Sequence, residues 1–183
     1  MTVNKLASHT TLLLVVDIQE AFVPHIHEME RVIERSRVMI RAARLLDVPI
    51  IASEQYPKGL GRTVEPIRQA LGECRYFEKT AFSVWGDEAL REAILQTGRP
   101  QVLLVGIETH VCIAQTALDL LAAGITPYLA LDAISSRTAR DADVARERLS
   151  RAGAIPMTVE AAILEMTVTA RHPKFKEISR LIK

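Results

Sequence analysis

The feature that most constrains the fold is a short apolar run, continuous rather than alternating, which recurs along the chain with helical periodicity between its copies. Residues 11–17 (Thr-Leu-Leu-Leu-Val-Val-Asp) have no polar face and end on a charge, as a parallel strand buried on both sides does. Residues 48–53, 101–106 and 125–132 repeat the pattern, and residues 154–159 repeat it more weakly. Between the runs, residues 30–46 place Ile33, Ser36, Met39, Ile40, Ala43 and Leu46 along one helical face. Further helical patterns follow at 87–97, 111–123 and 138–152. Thr138 and Asp141 stand at capping-box-like spacing, and Gly124 and Gly153 stand where helices stop. Strands alternating with helices predict an α/β chain with a three-layer, Rossmann-like arrangement: a mostly parallel sheet flanked by helices on both faces. Pro127 and Pro156 each remove a ladder donor and are expected at strand starts. Residues 54–80, with Pro57, Gly59, Gly61 and Pro66, read as an irregular excursion. No low-complexity stretch or internal repeat interrupts the pattern.

A chain of 183 residues suits one domain, 1–183, and buries about 70% of its unfolded surface, so its core needs no disulfide or metal. Lys and Arg number 23 against 22 Asp and Glu. That balance gives no overall field to recruit nucleic acid or an anionic membrane. One Trp, three Tyr and four Phe are too few for a base-stacking platform, and no apolar run approaches the ~20 residues of a membrane span. Residues 1–10 do not read as a secretory leader, so a cytoplasmic, reducing location is expected. Two cysteines, Cys74 and Cys112, exclude a disulfide-rich scaffold and a four-cysteine zinc site. His25 and His27 lack a third ligand and read as a charged loop. Lys58-Gly59-Leu60-Gly61-Arg62 is not a phosphate loop, and no G-x-G-x-x-G follows a strand.

In open α/β sheets ligands bind beyond the carboxyl ends of the strands. Three such ends carry polar or reactive groups: Asp17, the segment 53–56, and residues 106–112. Cys112 falls in the first turn of a helix, where free N–H groups and the dipole favour a thiolate. Lowering a thiol pKa from ~8.5 to about 6 takes roughly 3.4 kcal/mol, and a helix end supplies ~1 kcal/mol. A nucleophile at Cys112 therefore needs a cation or a base beside it; the alternative is a small buried hydrophobe. Cys74 reads as a structural thiol. Asp17 and Gln19 each fit a helix cap or a metal ligand equally well.

Together these segments resemble the isochorismatase-like cysteine hydrolase superfamily, which includes nicotinamidases and carbamoylsarcosine amidohydrolases. The resemblance rests on Asp17-x-Gln19-x-x-Phe22, then Glu78-Lys79-Thr80-Ala81-Phe82-Ser83, then Val105-Gly106-Ile107-Glu108-Thr109-His110-Val111-Cys112-Ile113. Thr116-Ala117-Leu118-Asp119, Gly124 and Asp132-Ala133-Ile134-Ser135-Ser136-Arg137 continue it. It runs from about residue 11 to the C-terminus, whose sequence looks closer to an uncharacterised hydrolase branch than to the nicotinamidases. The resemblance implies a catalytic triad of Asp17, Lys79 and Cys112 that cleaves a small-molecule C–N bond through a thioester. Lys79 would supply the missing cation. The backbone N–H groups of Glu108 and Cys112 would form the oxyanion hole, with a cis Ile107–Glu108 peptide. Phe22, Gln55, Tyr56, Phe82, Trp85 and Ile113, near the triad in sequence, are the expected substrate-binding residues.

Two departures narrow the reading. Where nicotinamidase-like relatives carry an Asp-x-His metal element, this chain has Glu54-Gln55-Tyr56, so no metal or other cofactor is expected and nicotinamide is disfavoured. Isochorismatases of siderophore pathways lack the cysteine, so retention of Cys112 disfavours isochorismate. The expected partners are a small-molecule substrate and further copies of the chain, a homo-oligomer being the family habit. A non-catalytic or redox-responsive binding protein on the same scaffold is the competing function.

Overall fold

All six residues of the first strand, β1 (Thr11–Val16), are buried, because each side chain meets a helical layer whichever way it points. Leu13 and Val15 face one core with Met39, Ile40 and Ala43. Leu12, Leu14 and Val16 face the other, with Leu90, Ile94 and Leu120. That period-2 division, with apolar residues in both phases, is why the strand carries no polar face. The protein is described by a computed structural model covering residues 5–183. Residues 1–4, part of the segment read as lacking a leader, lie outside the described residues.

Among the described residues five further strands join β1: β2 (Ile50–Gln55), β3 (Tyr76–Lys79), β4 (Gln101–Gly106), β5 (Thr126–Ile134) and β6 (Ile155–Met157). Every pairing is parallel, and the order is β3-β2-β1-β4-β5-β6. The chain winds outward in one direction to β3 and then returns to wind the other way from β4. The crevice at that reversal, between the carboxyl ends of β1 and β4, is where ligands sit in doubly wound sheets. The helices are α1 (Met29–Leu45), α2 (Pro57–Leu60), α3 (Glu65–Leu71), α4 (Glu88–Gln96), α5 (Ala114–Ala122), α6 (Ala139–Ala152), α7 (Val159–Thr167) and α8 (Phe175–Leu181). Helices α1, α3, α7 and α8 cover one face; α4, α5 and α6 cover the other. Among the described residues no helix is long and apolar enough to cross a membrane.

Several expectations change in detail. The excursion over 54–80 is ordered as α2, α3 and the strand β3. The helix expected from 111 opens earlier as a wide π turn, Thr109–Ile113, before α5. Helices α7 and α8 follow the last recognised pattern. Pro127 stands second in β5, but Pro156 sits in the middle of β6. It is tolerated there because β6 is an edge strand with one side unpaired. The Thr138 hydroxyl caps α6 by accepting from the Asp141 N–H at 3.1 Å, and Gly153 ends the helix at φ 111°.

Candidate active site

The ends of β1, β3 and β4 deliver three side chains to one point. Asp17 follows β1 with a left-handed backbone, φ 56°. Its Oδ1 accepts from the Ser53 hydroxyl at 2.8 Å, and its Oδ2 accepts from Lys79 Nζ at 2.7 Å. Lys79 closes β3, and its side chain is fully shielded from solvent. Its ammonium also donates to Gln55 Oε1 at 2.6 Å and to the Ala81 and Phe82 carbonyls at 3.2 and 3.1 Å. These acceptors satisfy the hydrogen-bonding capacity of a buried amine that would otherwise be costly to desolvate. Cys112 Sγ lies 3.9 Å from the same Nζ. Asp17, Lys79 and Cys112 are thus brought together from positions far apart in the chain.

The supporting residues explain several of the sequence motifs. Gln19 Oε1 accepts from the Gln55 N–H at 2.7 Å, while its Nε2 donates to the Gln55 and Gly61 carbonyls. It therefore bridges the turn after β1 to the end of β2. Thr116 Oγ1 accepts from the Val84 N–H at 2.9 Å, and Asp119 Oδ2 accepts from Ser83 Oγ at 2.6 Å. Those two bonds pin the loop whose carbonyls receive Lys79. Asp132 works away from the site: its carboxylate caps α7 at the Val159 N–H, 2.8 Å, and pairs with Arg35.

The close approach of β1 and β4 depends on Gly106. It sits at φ +139°, and a Cβ there would lie 2.2 Å from the Val16 carbonyl oxygen, which excludes any larger residue. The chain then turns with Glu108 in the left-handed region at φ 55°, ψ 54°. Among the described residues there is no cis peptide bond. The expected cis Ile107–Glu108 bond is therefore corrected to trans, the turn being made by the Gly106 and Glu108 torsions. The Ile107 N–H donates to Val16 O and the Thr109 N–H to Ser135 O, while the Glu108 N–H between them has no protein acceptor among the described residues.

Cys112 is buried, 4% exposed, and its thiol is pushed up to about 12. Burial is the largest cause and the Asp17 carboxylate the next, with Lys79 opposing. A lowered thiol pKa is thus not what the site builds. Lys79 is engaged by four nearer oxygens, and Asp17, its partner, repels a second negative charge. The resting cysteine is a thiol beside a carboxylate able to take its proton.

Above these groups opens a cleft of about 710 Å³. Phe22, Gln55, Tyr56, Phe82 and Cys112 line it, five residues that the sequence placed near the reaction. The Tyr56 ring lies where a Gly59 Cβ would meet it at 2.5 Å, so that glycine makes room for an aromatic wall. Trp85 and Ile113 are corrected: neither lines the cleft. Ile113 is fully buried and Trp85 packs against the same core, because sequence proximity says nothing about which way a side chain points. Arg137, Leu60 and Val111 line the cleft without having been expected there, and Glu108 lines it as well. Arg137 ends the segment Asp132-Ala133-Ile134-Ser135-Ser136-Arg137, the one signal that could have found it. Glu54, at the place of the metal element in nicotinamidase-like chains, has its carboxylate on the Thr63 N–H and hydroxyl and on Arg62. Burial opposes its ionisation, but these bonds outweigh burial and hold the carboxyl below its ordinary range.

Comparison with known proteins follows the same lines. A model of the isochorismatase domain matches residues 11–161. The chain is 42% identical over 174 residues to isochorismatase domain-containing protein 1 of Salmo salar, covering 95% of this chain and 61% of that protein; it thus spans about three-fifths of that relative's length. A structure titled MAR1 ribonuclease from Caenorhabditis elegans superposes with a TM-score of 0.93 at 40% identity, covering 98% of this chain and 92% of the other. The Escherichia coli YcaC product, described as an octameric hydrolase of unknown specificity, reaches the same TM-score at 22% identity over 100% and 91% of the two chains; it attests the fold. The family model spans all three of the strand ends that meet at the cleft, and on that ground the chain belongs to the isochorismatase family.

Proposed function

We propose that the chain is a single-domain, metal-independent hydrolase of small-molecule C–N bonds, an amidase that works through a thioester on Cys112. The observation that carries this reading is the buried trio behind the cleft, of which Cys112 lines it: Lys79 Nζ lies 2.7 Å from Asp17 and 3.9 Å from Cys112 Sγ. In the reaction, Sγ attacks the amide carbonyl carbon as the thiol proton passes to the Asp17 carboxylate. The C–N bond then breaks while that proton goes to the departing nitrogen, releasing ammonia or an amine. Water adds to the thioester, giving its proton to Asp17, and the acid leaves as Cys112 recovers its proton. Lys79 holds the carboxylate in place and offsets the charge that moves between base and nucleophile. The Glu108 and Cys112 N–H groups are assigned to the tetrahedral oxygen. A raised thiol pKa suits this scheme, since the proton is transferred on attack rather than lost beforehand.

The redox-responsive alternative requires an exposed thiolate, whereas Cys112 is buried and held protonated. The C. elegans relative is named a ribonuclease; RNA binding needs several cations along a surface, and Arg137 is the one cation among the described residues lining this cleft. Both cysteines are free, in keeping with a cytoplasmic location, and we assign a homo-oligomer by analogy with the octameric neighbour.

The decisive experiment measures ammonia release from a panel of primary amides and, separately, strand cleavage of an RNA oligonucleotide, by wild type and Cys112→Ala. Hydrolysis of an amide by wild type, with loss of at least about a thousandfold in the variant and a thioester adduct trapped by mass spectrometry, is the expected result. Undiminished amide turnover in Cys112→Ala, or cleavage of RNA alone, overturns the proposal.

A further inference from the structure

Arg137 follows β5 on the loop into α6, and its contacts are unequal. Nε donates to Glu108 Oε1 at 3.0 Å. Both Nη groups donate to no protein acceptor among the described residues, and the side chain is 62% exposed. Glu108, by contrast, is buried, so one charge-assisted bond anchors the guanidinium from behind and leaves its outer fork open. Arg137 lines the cleft and also a recess of about 520 Å³. The recess shares Phe22 and Leu60 with the cleft and adds Ala21 and His25; among the described residues no carboxylate lines it. The two cavities thus share an apolar wall of Phe22 and Leu60 together with Arg137, Cys112 lining one and His25 the other.

We infer that Arg137 forms an anion subsite, and that the substrate is a small amide bearing a carboxylate beyond an apolar spacer. The inference rests on the amide-hydrolase reading and specifies its substrate class. Two Nη donors in one plane match the two oxygens of a carboxylate, and the Glu108 bond fixes that plane before the ligand arrives. An apolar stretch of the substrate lies against Phe22 and Leu60, with the amide carbonyl over Cys112. A substrate without the anion leaves the fork to water. Because Arg137 is exposed, the preference is moderate, about tenfold in affinity, and it weakens as salt rises toward about 1 M, where the Debye length is roughly 3 Å.

The test uses the full chain carrying Cys112→Ala, so that ligands bind without turning over. Calorimetry compares the monoamide of glutaric acid with pentanamide, the same length without the carboxylate. The monoamide is expected to bind about tenfold or more tightly than pentanamide. Adding Arg137→Gln should bring that ratio within about twofold of unity, while Arg137→Lys, which keeps the charge but not the fork, should retain part of it. Circular dichroism of each variant verifies the fold. Equal affinities in the parent, a preference that survives Arg137→Gln in a folded protein, or no binding of either ligand overturns the subsite. Hydrolysis by the Cys112-containing protein is scored separately. Selective binding without hydrolysis of any amide leaves the subsite and removes the amidase reading; hydrolysis of neutral amides without selectivity does the reverse.

Discussion

At the scale of single residues, the site is a balance of two opposite charges and one neutral acid. Removing Lys79 as Lys79→Met leaves Asp17 charged and buried without its cation, which costs about 3–5 kcal/mol. The double variant Asp17→Asn, Lys79→Met should recover part of that loss. Urea unfolding of the four proteins checks it, and additivity of the two single effects would show that the ion pair is not the cause. Cys112 imposes a pH dependence of definite sign. Its folded pKa, about 12, lies above the ~8.5 of a free thiol. The unfolded chain therefore releases this proton first, and the stability it contributes is complete below about pH 8.5 and declines as pH rises toward the folded value. The slope reaches at most about 1.4 kcal/mol per pH unit. In a Cys74→Ser background, wild type should lose stability between pH 8.5 and 10.5 more steeply than Cys112→Ala; parallel curves would refute the raised value. By the same logic iodoacetamide should modify native Cys112 slowly at neutral pH, since the thiolate is the nucleophile.

At the scale of elements, β1 and β4 approach so closely that only glycine fits between them. Gly106→Ala, with its Cβ 2.2 Å from a carbonyl oxygen, should destabilise by about 3 kcal/mol or more or fail to accumulate; a folded, fully stable variant would contradict that geometry. Glu54 performs the corresponding task for the segment after β2, fastening Thr63 and Arg62 to the sheet. Glu54→Gln presents an amide N–H₂ to groups that are already donors, and we expect a loss of about 1–3 kcal/mol in thermal or urea unfolding. What could be read from sequence follows strand by strand. Strands β1, β2, β4 and β5 announced themselves because burial on both faces favours runs of several consecutive apolar residues. The strand β3 did not: Tyr76, Phe77, Glu78 and Lys79 alternate in burial at a sheet edge, and four such residues carry no apolar run. Asp17 and Cys112 were visible as polar groups at strand ends, whereas Lys79 came only through a family resemblance, its strand having gone unrecognised. The thiol pKa and the trans Ile107–Glu108 bond were not legible, since each depends on spatial neighbours or torsions that no local pattern encodes. Nor was the reach of Arg137 into the cleft.

At the scale of the whole molecule, the sheet places its catalytic candidates unevenly. Asp17 and Cys112 follow the two central strands, while Lys79 ends a strand at the margin. Lys79 is 62 residues from Asp17 and 33 from Cys112 in the chain, so their meeting reports a large part of the assembly. Margins of a sheet open at lower free energy than its centre. Amide protons of β3 should therefore exchange faster than those of β1 and β4 under native conditions, and equal protection would argue against a weak margin. The consequence is a protein that can fail in two stages. As temperature or denaturant rises, the margin should loosen first, carrying the ammonium away from its carboxylate while the central strands and their helices persist. Catalysis would then be lost reversibly at conditions where spectroscopic signals still register an intact fold, and the breadth of that gap would measure how independently one edge of the molecule breathes.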